Sequence, residues 1–100
     1  MTLETLREQI RERATRSQRL GYVVKVALTG GGVIRWDGTG AEAQIDTLDA
    51  PADTVIHISE ENLEKLLAGG LDPTLAYMTG KLRVDGSLGV AMKIAMLLGD

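Results

Sequence analysis

The chain has 100 residues, a formal net charge of −3 and no cysteine. Without thiols there are no disulfides, no thiolate catalysis and no cysteine-ligated zinc. The acidic balance argues against nucleic acid as a partner, which would call for clustered cations. Hydrophobic residues at 44% and charged residues at 25% suit a folded globular chain, with residues 1–100 forming one domain. Aromatic residues are only 3% and Phe is absent, so the core is aliphatic and contains methionine.

The opening "MTLETLREQIRERATR" is charged from residue 4 onward and lacks the apolar centre of a signal peptide. No stretch approaches the roughly 18 apolar residues that cross a bilayer. A cytoplasmic protein without stable membrane insertion is expected. In the same stretch Leu3, Leu6, Ile10, Ala14 and Ser17 recur at helical spacing and form one stripe of a helix lying on a sheet. Glu4, Glu8 and Glu12 precede Arg13, Arg16 and Arg19, an order that suits the helix dipole. This helix reads as a solvated cover.

"GYVVKVALTG" alternates Tyr22, Val24, Val26 and Leu28 against Val23, Lys25, Ala27 and Thr29 and is a strand. "GGG" turns the chain into "VIRWDG", a second strand. "AEAQIDTL" alternates again, "DAPAD" interrupts pairing at Pro51, and "TVIHIS" is a fourth strand. These strands are expected to form a four-stranded antiparallel meander. Ser59 caps a helix that begins with Glu60 and Glu61, buries Leu63, Leu66 and Leu67, and stops at Gly69 and Gly70. Asp72-Pro73 starts a short helix to about Met78. A strand over Lys81–Asp85 follows, and Ser87 opens the last helix. The fold class is therefore α+β, a five-stranded, largely antiparallel sheet with helices packed on one face.

Residues for catalysis are missing. The one histidine, His57, alternates with Ile56 and Ile58 and should point away from the core. A base needs a nucleophile or an orienting partner, and a metal needs several ligands. The glycines at 30–32 join two strands, not a strand to a helix as in a phosphate loop. Asp46, Asp49 and Asp53 lack the ladder and closing Glu of a calcium loop. No enzyme and no cofactor are expected.

The last helix is unusual. From Leu88 to Leu98 the only charge is Lys93. On a helical projection Leu88, Ala91, Met92, Ala95 and Met96 share one side and Val90, Ile94 and Leu97 another, so one sheet cannot cover both. Three explanations stand side by side: burial between sheet and helices, a homodimer through this helix, and a cavity for an aliphatic ligand.

The segment "DPTLAYMTGKLRVDGSLGVAMKI" resembles the sterol carrier protein type 2 family. Asp72, Pro73, Tyr77, Gly80, Lys81, Leu82, Gly86, Gly89, Ala91, Met92 and Lys93 follow its pattern in order. The C-terminal half carries the likeness, and the N-terminal half agrees in element order. The resemblance implies a five-stranded sheet with helices over one face and a lipid tunnel between them. It implies non-catalytic binding or transfer of a hydrophobic small molecule: fatty acid, acyl-CoA, phospholipid or a sterol-like lipid. Tyr77 stands where Phe is usual, "LLGD" ends the chain soon after the helix, and no peroxisomal Ser-Lys-Leu ending is present. The expected lining is Leu63, Leu67, Leu75, Met78, Leu82, Leu88, Met92 and Met96, with Trp36 covering it from the sheet. Lys81 and Lys93 are solvated charges within reach of an anionic head group. The competing reading is an interaction or dimerisation module with a collapsed pocket, accessory to a partner enzyme.

Overall fold

The computed structural model describes residues 2–99. Its first helix, α1 (Leu3–Arg16), begins where the Thr2 hydroxyl accepts the Thr5 N–H at 3.2 Å. Leu6, Ile10 and Ala14, each four residues from the next, form its buried stripe. The inner face of the sheet comes from strict alternation. In β1 (Val23–Thr29) Val24, Val26 and Leu28 are buried, and in β2 (Val33–Asp37) Ile34 and Trp36. The two strands pair antiparallel with Val24 opposite Trp36 and Val26 opposite Ile34. β3 is only Gln44–Asp46 and sets Ile45 opposite Trp36.

The expected meander holds for these three strands and then ends. β4 (Thr54–Ser59) does not join β3. It runs parallel to β1, with Val24 opposite Thr54 and Leu28 opposite Ile58. β5 (Leu82–Asp85) closes the far side, antiparallel to β4, giving the order β3-β2-β1-β4-β5. Parallel neighbours need a crossover, and residues 47–53 supply it on the face away from the helices. Lys25 Nζ meets the Asp49 carboxylate at 2.8 Å, and Arg35 Nε donates to the Pro51 carbonyl at 3.2 Å. Asp53 fixes the arrival: its carboxylate accepts the Val23 N–H at 2.8 Å, and its own N–H donates to the Val23 carbonyl at 2.9 Å.

Three helices follow β4. α2 (Glu60–Leu67) starts under the Ser59 hydroxyl, which accepts the Asn62 N–H at 3.0 Å, and buries Leu63, Leu66 and Leu67. α3 (Pro73–Met78) is capped by Asp72, whose carboxylate accepts from the Thr74 and Leu75 N–H groups. α4 (Leu88–Leu98) is capped by Ser87 and turns Ala91, Ile94, Ala95 and Leu98 inward. That division corrects the helical projection. Ala91 and Ala95 belong with Ile94 against the sheet, because their small side chains let the helix approach it closely. Leu88 and Met96 point outward, with Met92 half-buried between them.

Two local devices join these parts. The turn from β5 into α4 runs against the start of β4. A Cβ on Gly86 would lie 2.8 Å from the Asp53 carbonyl oxygen, and its φ is +108°. Only glycine fits there without strain. Beside it the buried Thr54 hydroxyl accepts the Ser87 N–H at 3.2 Å. The second device is Arg13. Its guanidinium donates at 2.7 Å to Leu67 O at the end of α2, at 2.7 Å to Leu98 O at the end of α4, and at 3.0 Å to Gln9 O. A cation here satisfies terminal carbonyls of two helices and opposes both dipoles.

Replacing Arg13 by Met keeps the stem and removes these bonds. Unfolding free energy from urea titration should fall by about 2 kcal/mol. Gly86→Ala should cost about 1–3 kcal/mol by the same measurement, from strain and close contact.

Candidate functional site

The structure separates the nine residues named from the sequence. Trp36, Leu63, Leu67 and Leu82 face inward and belong to the packed core. Leu75, Met78, Leu88 and Met96 are exposed, Met78 at 74% and Met96 at 64%. Met92 and Met96 line a shallow groove along α4 together with Gly89, Lys93 and Leu97, a space of about 570 Å³.

A second space of about 570 Å³, more enclosed, lies at the other end of the helical layer. It opens between the C-terminal half of α1, the segment that follows it, and the β2–β3 edge. Buried Ala14, Leu20, Trp36 and Ile45 form its floor; Arg11, Arg19 and Glu42 stand at its rim. Trp36 is the one member named beforehand. Ala14 and Ile45 were legible only as core positions, and the arginines only as part of a solvated helix. The available signal was the excess of Arg over Glu in residues 1–20, five against three. Sequence alone does not say that β3 shrinks to three residues, and that shortening leaves the edge beside α1 open.

The rim is built with some care. Arg11 Nη2 donates to the Ile45 carbonyl at 3.3 Å, bridging α1 and β3. Gly38 lets residues 17–21 come close, since a Cβ there would sit 2.6 Å from Leu20 Cβ. Gly21 N–H then donates to Gly38 O at 2.8 Å, and Arg19 Nη2 to Thr39 O at 2.6 Å. That last bond uses one of five guanidinium donors. Thr39 itself is held by Asp37, whose Oδ1 accepts its hydroxyl at 2.5 Å and its N–H at 3.0 Å. The Thr39 hydroxyl, then its N–H, hold the Asp37 carboxyl below its ordinary value of 3.8, and Arg35 adds to the effect.

Chemically the arrangement offers an apolar floor with two cations and one carboxylate above it. It offers no nucleophile paired with a base. His57 lies on the opposite, helix-free face, 2.7 Å from the Asp85 carboxylate. Among the described residues no three of His, Cys, Asp and Glu gather as a metal would require, and no helix is long and apolar enough to cross a membrane.

A lowered carboxyl pKa stabilises the turn above the unfolded value, and that contribution is lost as pH falls through the folded value. The Thr39 amide resonance should therefore titrate with a midpoint below 3.8 and move toward a random-coil shift on acidification. Thr39→Val, which removes the hydroxyl, should raise that midpoint toward 3.8 in the same NMR titration.

Residues 3–99 match the SCP-2 sterol transfer family. Hydroxysteroid dehydrogenase-like protein 2 of Xenopus laevis is 40% identical over 49 residues, which is 49% of this chain and 12% of that protein. The chain thus corresponds to a small part of that relative. Among solved structures, palmitated SCP2L2 from Aedes aegypti superposes with a TM-score of 0.70 at 20% identity, covering 100% of this chain and 96% of that one. The sec-alkylsulfatase Pisa1 from Pseudomonas sp. gives 0.65 at 16% identity, covering 90% of this chain and 14% of that enzyme. At such identities these structures establish the fold alone.

Proposed function

The chain belongs to the SCP-2 sterol transfer family, and from that premise we propose that it is a non-catalytic carrier of single-chain amphiphiles with an anionic end. Family membership implies lipid binding or transfer. The observation that carries the finer reading is the space between α1 and the β2–β3 edge, where a Trp36 floor lies under a rim bearing Arg11 and Arg19. A volume of about 570 Å³ falls within the range of about 300–1,000 Å³ usual for small-molecule sites.

The energetics favour an aliphatic guest. Each buried methylene contributes roughly 0.8 kcal/mol, so ten contribute about 8 kcal/mol gross. Loss of translational freedom and ordering take back several kcal/mol. A modest net affinity results without any specific polar contact, and it depends weakly on chain length. Discrimination must therefore come from the rim. Arg11 and Arg19 favour a carboxylate or phosphate, while Glu42 keeps the rim from being uniformly cationic. That a palmitated relative shares the fold supports an acyl guest. The expected lining between the sheet and the C-terminal helices is less favoured, because Leu63, Leu67 and Leu82 already pack in the core. Neither a dehydrogenase nor a sulfatase activity is carried over from the longer relatives.

Trp36 is the only tryptophan, so intrinsic fluorescence reports on the cavity floor directly. Titration with a long-chain fatty acid should shift its emission saturably. Arg11→Glu and Arg19→Glu should each weaken fatty-acid binding by about five-fold and leave the matching fatty alcohol unchanged. Emission that does not respond to either ligand would exclude this site.

A further inference from the structure

The sheet has two edges, β3 and β5, and they are finished differently. At β3, Arg11 reaches across from α1 and donates to the Ile45 carbonyl at 3.3 Å. β5 pairs with β4 on one side only. On the other side an edge strand presents backbone groups that a further strand can pair with. Leu82, at the start of β5, is fully buried, whereas Arg83 and Asp85 are exposed and Val84 is half-buried. Among the described residues, the backbone of residues 83–85 has no hydrogen bond besides those to β4.

The side chains along this edge complement themselves. Alternation puts Val84 against the core and Arg83 and Asp85 on the helix-free face. A second β5 laid antiparallel to the first, Val84 opposite Val84, sets Arg83 of each copy opposite Asp85 of the other. One two-fold axis thus creates two ion pairs and one apolar pair. A shift of two residues either way would set Arg83 against Arg83 or Asp85 against Asp85, so charge fixes the register. Both groups are able to take part. Among the described residues Arg83 has no ion-pair partner. Asp85 gives Oδ2 to His57 Nε2 at 2.7 Å, and a carboxylate has a second oxygen to offer a guanidinium. β3 lacks this property, since pairing about Ile45 would set Gln44 opposite Asp46.

The helical layer agrees. The two-fold axis stands perpendicular to the sheet, so the helices of both copies lie on one side of it. α3 packs on β5 and α4 and so flanks the same edge. Its exposed Leu75, Tyr77 and Met78 supply apolar area that a three-residue ladder lacks. An interface of this size suits reversible association. We infer that β5 is a self-association edge, through which two copies of the chain join antiparallel into one continuous sheet. This goes beyond the carrier reading and does not depend on it. The α1 cavity lies at the opposite edge, beside β3, so both cavities stay open in the dimer.

Sedimentation velocity of the full chain from about 10 μM to about 1 mM tests it. The wild type should show a reversible monomer–dimer equilibrium. Arg83→Asp and Asp85→Arg should each weaken it by about ten-fold or more, because each sets like charges opposite one another at two places. An equimolar mixture of the two variants should associate as the wild type does, the acidic edge of one meeting the basic edge of the other. Both positions are exposed, so each variant should keep the wild-type Trp36 emission and the wild-type response to fatty acid. A wild type that stays monomeric throughout would overturn the inference. So would a dimer that both single variants retain, or variants whose mixture stays monomeric. A dimer that Met96→Glu dissolves and Arg83→Asp does not would give the contact to α4 and overturn it as well.

Discussion

Parallel pairing of β4 with β1 is the constraint from which the rest of the molecule follows. It seats β4 between the central β1 and the edge strand β5, on the side of the sheet opposite β3. The helical layer is therefore assembled from the two ends of the chain. α1 lies toward β3, and α4 lies over β4 and β5. They meet at Arg13, which holds the last carbonyls of α2 and α4 together. No local turn could produce this. The pairing depends on the crossover, and the crossover is held by Lys25, Arg35 and Asp53 on the face that the helices leave open.

The same constraint distributes the unfilled space. Where α4 meets the sheet, alanines permit close approach and the interior closes around Leu63, Leu82 and Ile94, all fully buried. Where α1 meets the edge, β3 is three residues long and Gln44 to Asp46 cannot cover the helix above it. The gap that remains is floored by Trp36 and rimmed by arginines that already spend part of their hydrogen-bonding capacity on the Ile45 and Thr39 carbonyls. Arginines fixed in this way lose less entropy on meeting an anion than free ones would.

The two ends then have different chemistry. The α1 end is the more enclosed and carries two arginines and one glutamate at its rim. The α3–α4 end is open and apolar.

Local signals sufficed for the elements themselves. Alternation in "VVKVALT", the Ser59, Asp72 and Ser87 caps and the glycines after α2 are nearest-neighbour physics, and they fall where the sequence places them. The motif around Gly80 to Lys93 identified the family for the same reason: its glycines and caps answer to backbone geometry at fixed spacing. Partner strands, by contrast, are chosen over long separations. Asp53 binding Val23 across thirty residues cannot be seen in periodicity. Of the proposed α1 site only Trp36 was legible. Its other walls come from elements that share no spacing, and of the methionines marked as lining Met96 points outward and Met92 is half-buried, because Ala91 and Ala95 fit against the sheet. The sequence by itself determined which segments are helix and strand and that the last helix carries more apolar surface than one sheet can hide. Tertiary structure alone decided which side of that helix is hidden and where space is left, because those are outcomes of competing close packing between segments distant in the chain.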